Sequence, residues 1–214
     1  MIGQATIPAG LQASLAALPA GATAALLLRH SDRAAVADGD PGGEVPLTPV
    51  GEARAHTLSV LLRARGGVGW VDSSPHLRCA ETGRRLAGEV RACALLGSPG
   101  PFVVDREEGA RIFGTVGTER VVRLQMAGHQ WPFMRLTGEG ARLLVDHART
   151  RLADRPGLGA LISHDAIIMP FVSVITGDRF AERWLDPLDG VILMLAHGGH
   201  LRALWRGHQY AVPA

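Results

Sequence analysis

The chain contains no lysine: all 22 of its basic residues are arginine. Arginine stays charged and offers carboxylates and phosphates a planar fork of donors. Because arginine carries all of the basic charge, no single arginine stands out by identity alone. Net charge is only +2, which excludes the strongly basic surface of a nucleic-acid or membrane-surface binder. Cys79 and Cys93 are the only cysteines, too few for a disulfide framework. No apolar run reaches the roughly 20 residues that span a bilayer. Residues 1–21 are rich in Ala and Leu but lack the basic start of a signal peptide. There is no P-loop and no dinucleotide fingerprint. His197, His200 and His208 fall around an expected turn and form no clear metal set. A soluble, cytoplasmic protein without metal or cofactor is the expectation.

What is present is a well-buried globular composition. At 214 residues and 47% hydrophobic content, the chain suits one α/β domain with a sizeable core. Leu11, Leu15 and Leu18 have roughly helical spacing and are followed by Pro19-Ala20-Gly21. Residues 23–29 form a continuous apolar run, suited to the interior of a mostly parallel sheet. Gly39, Asp40, Pro41, Gly42 and Gly43 give residues 31–46 loop chemistry. Thr48, Pro49 and Glu52 are the cap, first position and first turn of a helix that reaches about residue 65. A strand over 68–73 and a helix over 76–90 follow, then a short strand candidate at 102–104. Residues 105–135 show little periodicity and are read as an insertion or cap over a site. Thr137 opens another helix as its cap, running to about 154. A strand over 158–163 and a helix over 165–175 containing Pro170 follow, then a hairpin of 190–196 with 201–206. Helices alternating with apolar strands predict a three-layer α/β/α sandwich around a mostly parallel sheet.

Four segments carry the chemistry. The first is Leu28-Arg29-His30-Ser31-Asp32-Arg33, where a buried strand ends in a basic pair. The second is Leu47-Thr48-Pro49-Val50-Gly51. The third is Asp72-Ser73-Ser74-Pro75-His76-Leu77-Arg78-Cys79-Ala80-Glu81-Thr82, and the fourth is Leu161-Ile162-Ser163-His164-Asp165. Three of them follow predicted strands, and ligands of open α/β sheets gather at the carboxyl ends of strands. In this order the segments resemble the histidine phosphatase superfamily, the fold shared by phosphoglycerate mutases and histidine acid phosphatases. The resemblance covers about residues 24–90 and 157–177. One departure is Ser31, where the family usually has glycine.

The resemblance implies residue roles. His30 is the nucleophile, forming a phosphohistidine. Arg29, Arg78 and Arg33 bind the phosphoryl group, whose transition-state charge is spread over three oxygens. Ser74 and Pro75 turn the chain so that Arg78 faces the sheet edge. His164 hydrogen-bonds the transferring group and helps to orient His30. Ser31 either crowds the phosphate or donates a further hydrogen bond to it. A phosphomonoester also needs an acid for its leaving oxygen. One branch of the family places an Asp directly after the second histidine, here Asp165. The other uses a Glu after the third strand, here Glu107 or Glu108. Asp165 fits its branch outright. Cys79, Trp131 and Trp184 are read as packing. The implied activity is metal-independent hydrolysis of a small phosphorylated substrate. A phosphomutase, or a phosphate-binding regulatory protein without turnover, is the alternative. Nothing in the sequence speaks to oligomeric state.

Overall fold

The computed structural model describes residues 6–36, 42–179 and 183–213. Gly39, Asp40 and Pro41 of the expected loop therefore lie outside the described residues. The sheet has seven strands: β1 (Ala24–Arg29), β2 (Trp70–Ser73), β3 (Arg91–Ala92), β4 (Leu158–Ser163), β5 (Gly190–Leu195), β6 (Leu201–Trp205) and β7 (His208–Ala211). Their order is β3-β2-β4-β1-β5-β6-β7. The first four of these are mutually parallel, and β5, β6 and β7 follow as antiparallel neighbours.

Alternation along the strands makes two cores, one on each face of the sheet. Leu26 and Leu28 of β1, Ala160 and Ile162 of β4 and Val71 of β2 face one side. They meet the apolar faces of α1 (Ala9–Ala17), α2 (Pro49–Arg63) and α3 (Leu77–Ala87). Ala25, Leu27, Leu161 and Val191 face the other side and meet α5 (Thr118–Met126), α6 (Thr137–Asp154) and α7 (Asp165–Thr176). Because both faces of β1 are covered, all its residues up to Leu28 are fully buried and none is polar. That explains an uninterrupted apolar run instead of an alternating one. The result is the three-layer α/β/α sandwich.

Several local expectations need correction. Residues 102–104 form no strand; Val103 makes a single bridge to Met134. Pro99, Gly100 and Pro101 precede them and Asp105 caps the next helix, which leaves no length for pairing. The parallel edge is instead β3, only two exposed residues long, too short to give a period. The aperiodic stretch 105–135 holds two helices, α4 (Arg106–Val116) and α5, broken by Gly117 at φ 88°. Each spans only two or three turns, so the apolar period is barely sampled. Val122 and Met126 of α5 join the core beside α7. Thr137 is the first residue of α6, not its cap; Leu136 holds that position and gives no side-chain cap bond. The hairpin gains a third strand, β7. Among the described residues, no helix is long and apolar enough to cross a membrane.

Candidate active site

The site forms where β1, β2 and β4 end together. Arg29 is level with Ser163, and Ser73 with Ile162. Beyond the last pairs, His30 N donates to Ser163 O at 3.0 Å and Ser74 N donates to Ile162 O at 2.9 Å. His30, Ser74 and His164 thus leave the sheet at one edge. The helices that follow β2 and β4, α3 and α7, also begin there and bring Arg78 and Asp165 with them.

A close backbone contact holds the first loop. Thr48 caps α2, accepting from Gly51 N at 3.0 Å, and its own N–H donates to Asp32 O at 2.9 Å. A Cβ on Gly51 would lie 2.1 Å from Asp32 O, so only glycine lets the helix start and the loop after β1 touch. The Ser31 hydroxyl donates to Gly51 O at 2.8 Å, and Ser31 N donates to Thr82 Oγ1 at 3.0 Å. The donor expected to crowd or contact a phosphate is therefore spent on the backbone of α2, and Ser31 links β1 to α2 and α3.

His30 is 4% exposed. Its Nδ1 lies 2.7 Å from Ser31 O, which can only accept, so Nδ1 carries the proton. Its Nε2 accepts from Arg78 Nε at 3.1 Å. Burial pushes the imidazole down to about 3, with Arg78 and Arg29 adding to the effect against the Ser31 bond. It is therefore neutral at pH 7, with its lone pair on Nε2. Arg78 also donates through Nη1 to Gly42 O and approaches His164 Nδ1 through Nη2 at 3.4 Å. His164 stands edge-on to His30, ring centroids 5.5 Å apart. Burial, reinforced by His30 and Arg78, holds His164 well below the usual imidazole range.

Asp165 joins this group through Arg29. Its Oδ2 pairs with Arg29 Nη2 at 3.0 Å and accepts from Trp184 Nε1 at 3.0 Å, and its Oδ1 accepts from Ala166 N at 2.9 Å. Arg29 is further tied to Leu185 O, which points its guanidinium across the end of β1. Trp184 is thus an orienting donor as well as packing. Its role was not legible, because it belongs to no motif and reaches the site only through the fold.

The remaining candidates lie elsewhere. Arg33 is exposed and donates to its neighbour's carbonyl, Ala34 O, at 2.8 Å. Its charge still adds to the lowering of the half-buried Arg78 guanidinium, which burial chiefly causes, so Arg33 sits on the rim. Glu107 and Glu108 occupy the first turn of α4, where Asp105 accepts from both of their N–H groups. Glu108 pairs with Arg111 at 2.7 Å. Neither glutamate exchanges a hydrogen bond or ion pair with His30, Arg29, Arg78 or His164. Cys79 is fully buried, its thiol pushed up to about 12 by desolvation, and it packs under His164. Two contacts of Ser74, one within the third motif and one to the fourth, were not legible in the sequence. Ser74 Oγ lies 2.8 Å from His164 Nε2 and 3.0 Å from His76 Nδ1.

No sequence profile of a known family and no curated protein matches this chain. Solved structures do. YhfR of Bacillus stearothermophilus superposes with a TM-score of 0.64 at 15% identity, covering 87% of this chain and 97% of its own. The chain has the phosphoglycerate mutase-like fold of the histidine phosphatases. The protein histidine phosphatase SixA, solved with tungstate, gives a TM-score of 0.54 at 14% identity, over 88% of this chain and 96% of its own. Mycobacterial glucosyl-3-phosphoglycerate phosphatase, solved with VO3, gives 0.57 at 16% identity, over 86% and 97%. The parallel pairing of β1 with β4 brings His30 and His164 together although they are far apart in the chain. Their shared edge is the carboxyl edge of the parallel strands.

Proposed function

We propose that this chain is a phosphatase that hydrolyses a small phosphomonoester through a phosphohistidine on His30, without a metal ion. One observation carries the reading. Ser31 O accepts from Nδ1–H of His30, so the lone pair is on Nε2, where Arg78 Nε donates to it. A neutral imidazole with a fixed tautomer is the reactive form of this nucleophile. Arg78 and Arg29 supply charge for the equatorial oxygens.

In this reading Nε2 attacks phosphorus and the ester P–O bond breaks. The phosphoryl oxygens compete with Asp165 for Arg29, which frees the carboxylate to take the proton carried in by a phosphomonoester monoanion and to pass it to the leaving oxygen. Water then attacks the phosphohistidine, Asp165 takes a proton from that water, and the P–N bond breaks to restore His30. The fold of solved phosphatases supports the reaction class, and the lack of contact between Glu107 or Glu108 and the cluster favours Asp165 as the acid.

The test is rapid quenching of the protein with radiolabelled p-nitrophenyl phosphate. Acid-labile, base-stable label on His30, and a rate unchanged by chelator, are expected. Label on a serine or aspartate, or strong inhibition by chelator, would overturn the proposal.

A further inference from the structure

The cluster contains a third histidine that the proposed reaction does not use. His76 precedes α3, and its Nδ1 lies 3.0 Å from Ser74 Oγ. The same oxygen lies 2.8 Å from His164 Nε2. The two imidazoles stand edge-on with centroids 4.8 Å apart. Ser74 is fully buried, and its hydroxyl owes its room to Gly97, where a Cβ would lie 2.7 Å from Oγ. His76 itself is half-buried.

A hydroxyl has one proton to give. Ser74 can direct it to His164 Nε2 or to His76 Nδ1, but not to both. In the free protein Arg78 Nη2 faces His164 Nδ1, and a guanidinium can only donate. Nδ1 is then the acceptor, Nε2–H donates to Ser74, and the Ser74 proton goes to His76. A bound phosphoryl group reverses the demand. Its oxygens are acceptors, so His164 must present Nδ1–H to them.

We propose that His76 is a positioning residue that, through the Ser74 hydroxyl, sets the tautomer of His164 and turns it into a donor when a phosphoryl group binds. This rests on the phosphatase reading of the site. The rearrangement balances. A proton arrives at His164 Nδ1 from the pocket side, and the Nε2 proton passes to Ser74 Oγ. The Ser74 proton passes to His76 Nδ1, and His76 releases its Nε2 proton to solvent. One proton enters, one leaves, and each ring ends neutral. Both rings begin neutral, since burial, with Arg78 adding to it, pushes each below its ordinary value.

The experiment is nitrogen-15 NMR of histidine-labelled full-length protein, free and saturated with inorganic phosphate, with turnover of p-nitrophenyl phosphate measured in parallel. In the parent protein His164 should pass from the Nε2–H to the Nδ1–H form when phosphate is added. His76→Leu should block that change and lower kcat by roughly tenfold or more, the scale of one charge-assisted hydrogen bond. His76→Asn keeps a hydrogen-bonding side chain but cannot take up one proton and release another, so it should restore neither. Ser74→Ala should behave as His76→Leu, and amide spectra confirm that each variant is folded. If phosphate binds and His76→Leu still shows the parent tautomer change and kcat, the relay is wrong and His76 only shapes the start of α3. If phosphate perturbs no ring in the parent protein, the phosphatase reading itself fails and the relay falls with it.

Discussion

Arg78 Nε lies 3.1 Å from His30 Nε2, so the arginine that would bind phosphate also holds the lone pair that would attack it. The contact fixes the histidine rotamer before substrate arrives. An incoming phosphoryl group has to draw Arg78 onto its own oxygens, and that step exposes the nucleophile.

His30→Ala should abolish turnover and leave the fold intact. It removes the acceptor of a half-buried guanidinium N–H, so unfolding in urea should show a loss of about 1–2 kcal/mol. A variant that folds but retains more than a trace of activity would move the nucleophile elsewhere.

Asp165→Asn should damage alkyl phosphates far more than p-nitrophenyl phosphate. An alkoxide must be protonated as it leaves and a nitrophenolate need not be, and general acid catalysis is worth about 10²–10⁴-fold. Equal losses on both substrates would mean that Asp165 serves only to hold Arg29. Glu107→Gln and Glu108→Gln should leave both rates unchanged, because neither glutamate touches the cluster. The comparison is a set of kcat/KM ratios for the two substrates.

A second charge cluster, built on the buried Asp72, should govern stability. Asp72 in β2 is 0% exposed; it accepts from Arg91 at 2.9 and 2.6 Å and from His147 Nε2 at 3.0 Å. Arg151 Nε comes within 2.9 Å of the same carboxylate without a hydrogen-bond angle, and its guanidinium stacks 4.7 Å from the Trp70 ring. Burial pushes the Asp72 carboxyl up, but the bonds from His147 and Arg91 outweigh it and hold it at about 2. Asp72→Asn weakens the bonds from Arg91 and His147 and should cost about 1.5–3 kcal/mol in urea unfolding, the scale of hydrogen bonds to a charged group.

Stability should fall from both sides of neutrality. His30, His164 and His76 are all held below the ordinary imidazole value of 6.5. The unfolded chain therefore binds more protons, and the stability present above pH 6.5 is lost as pH falls toward about 3, the folded value of His30. His147 is the reverse case, raised to about 9 by Asp72 and Cys93. Its contribution is complete below pH 6.5 and lost as pH rises through about 9. Urea unfolding across this range checks both arms. His147→Gln should flatten the alkaline arm and leave the acid arm in place.

Gly51→Ala should be among the most damaging single-methyl changes, because its Cβ meets backbone at 2.1 Å and nothing there can yield. A loss above about 3 kcal/mol is expected, on the scale of a severe backbone clash in a packed site. Ser31→Gly should cost about 1 kcal/mol through loss of the bond to Gly51 O and keep the activity of the parent protein. A large change in KM for Ser31→Gly would show instead that its hydroxyl turns toward the phosphate.

In the parallel half the two-residue β3 was not legible in the sequence, whereas β1, β2 and β4 and the helices that follow them were. Each is long enough to show its own period, and both faces of β1 are covered, so it reads as one apolar run. The motifs at the ends of β1, β2 and β4 were legible too, because parallel strands end at one edge and so bring Arg29, His30, Arg78, His164 and Asp165 together. What the sequence could not decide were contacts between side chains distant in the chain. Ser31 turned to Gly51, Trp184 reached Asp165, and one Ser74 hydroxyl came to lie between two histidines. A hydrogen-bond donor has several acceptors open to it in the sequence, and only packing leaves it one.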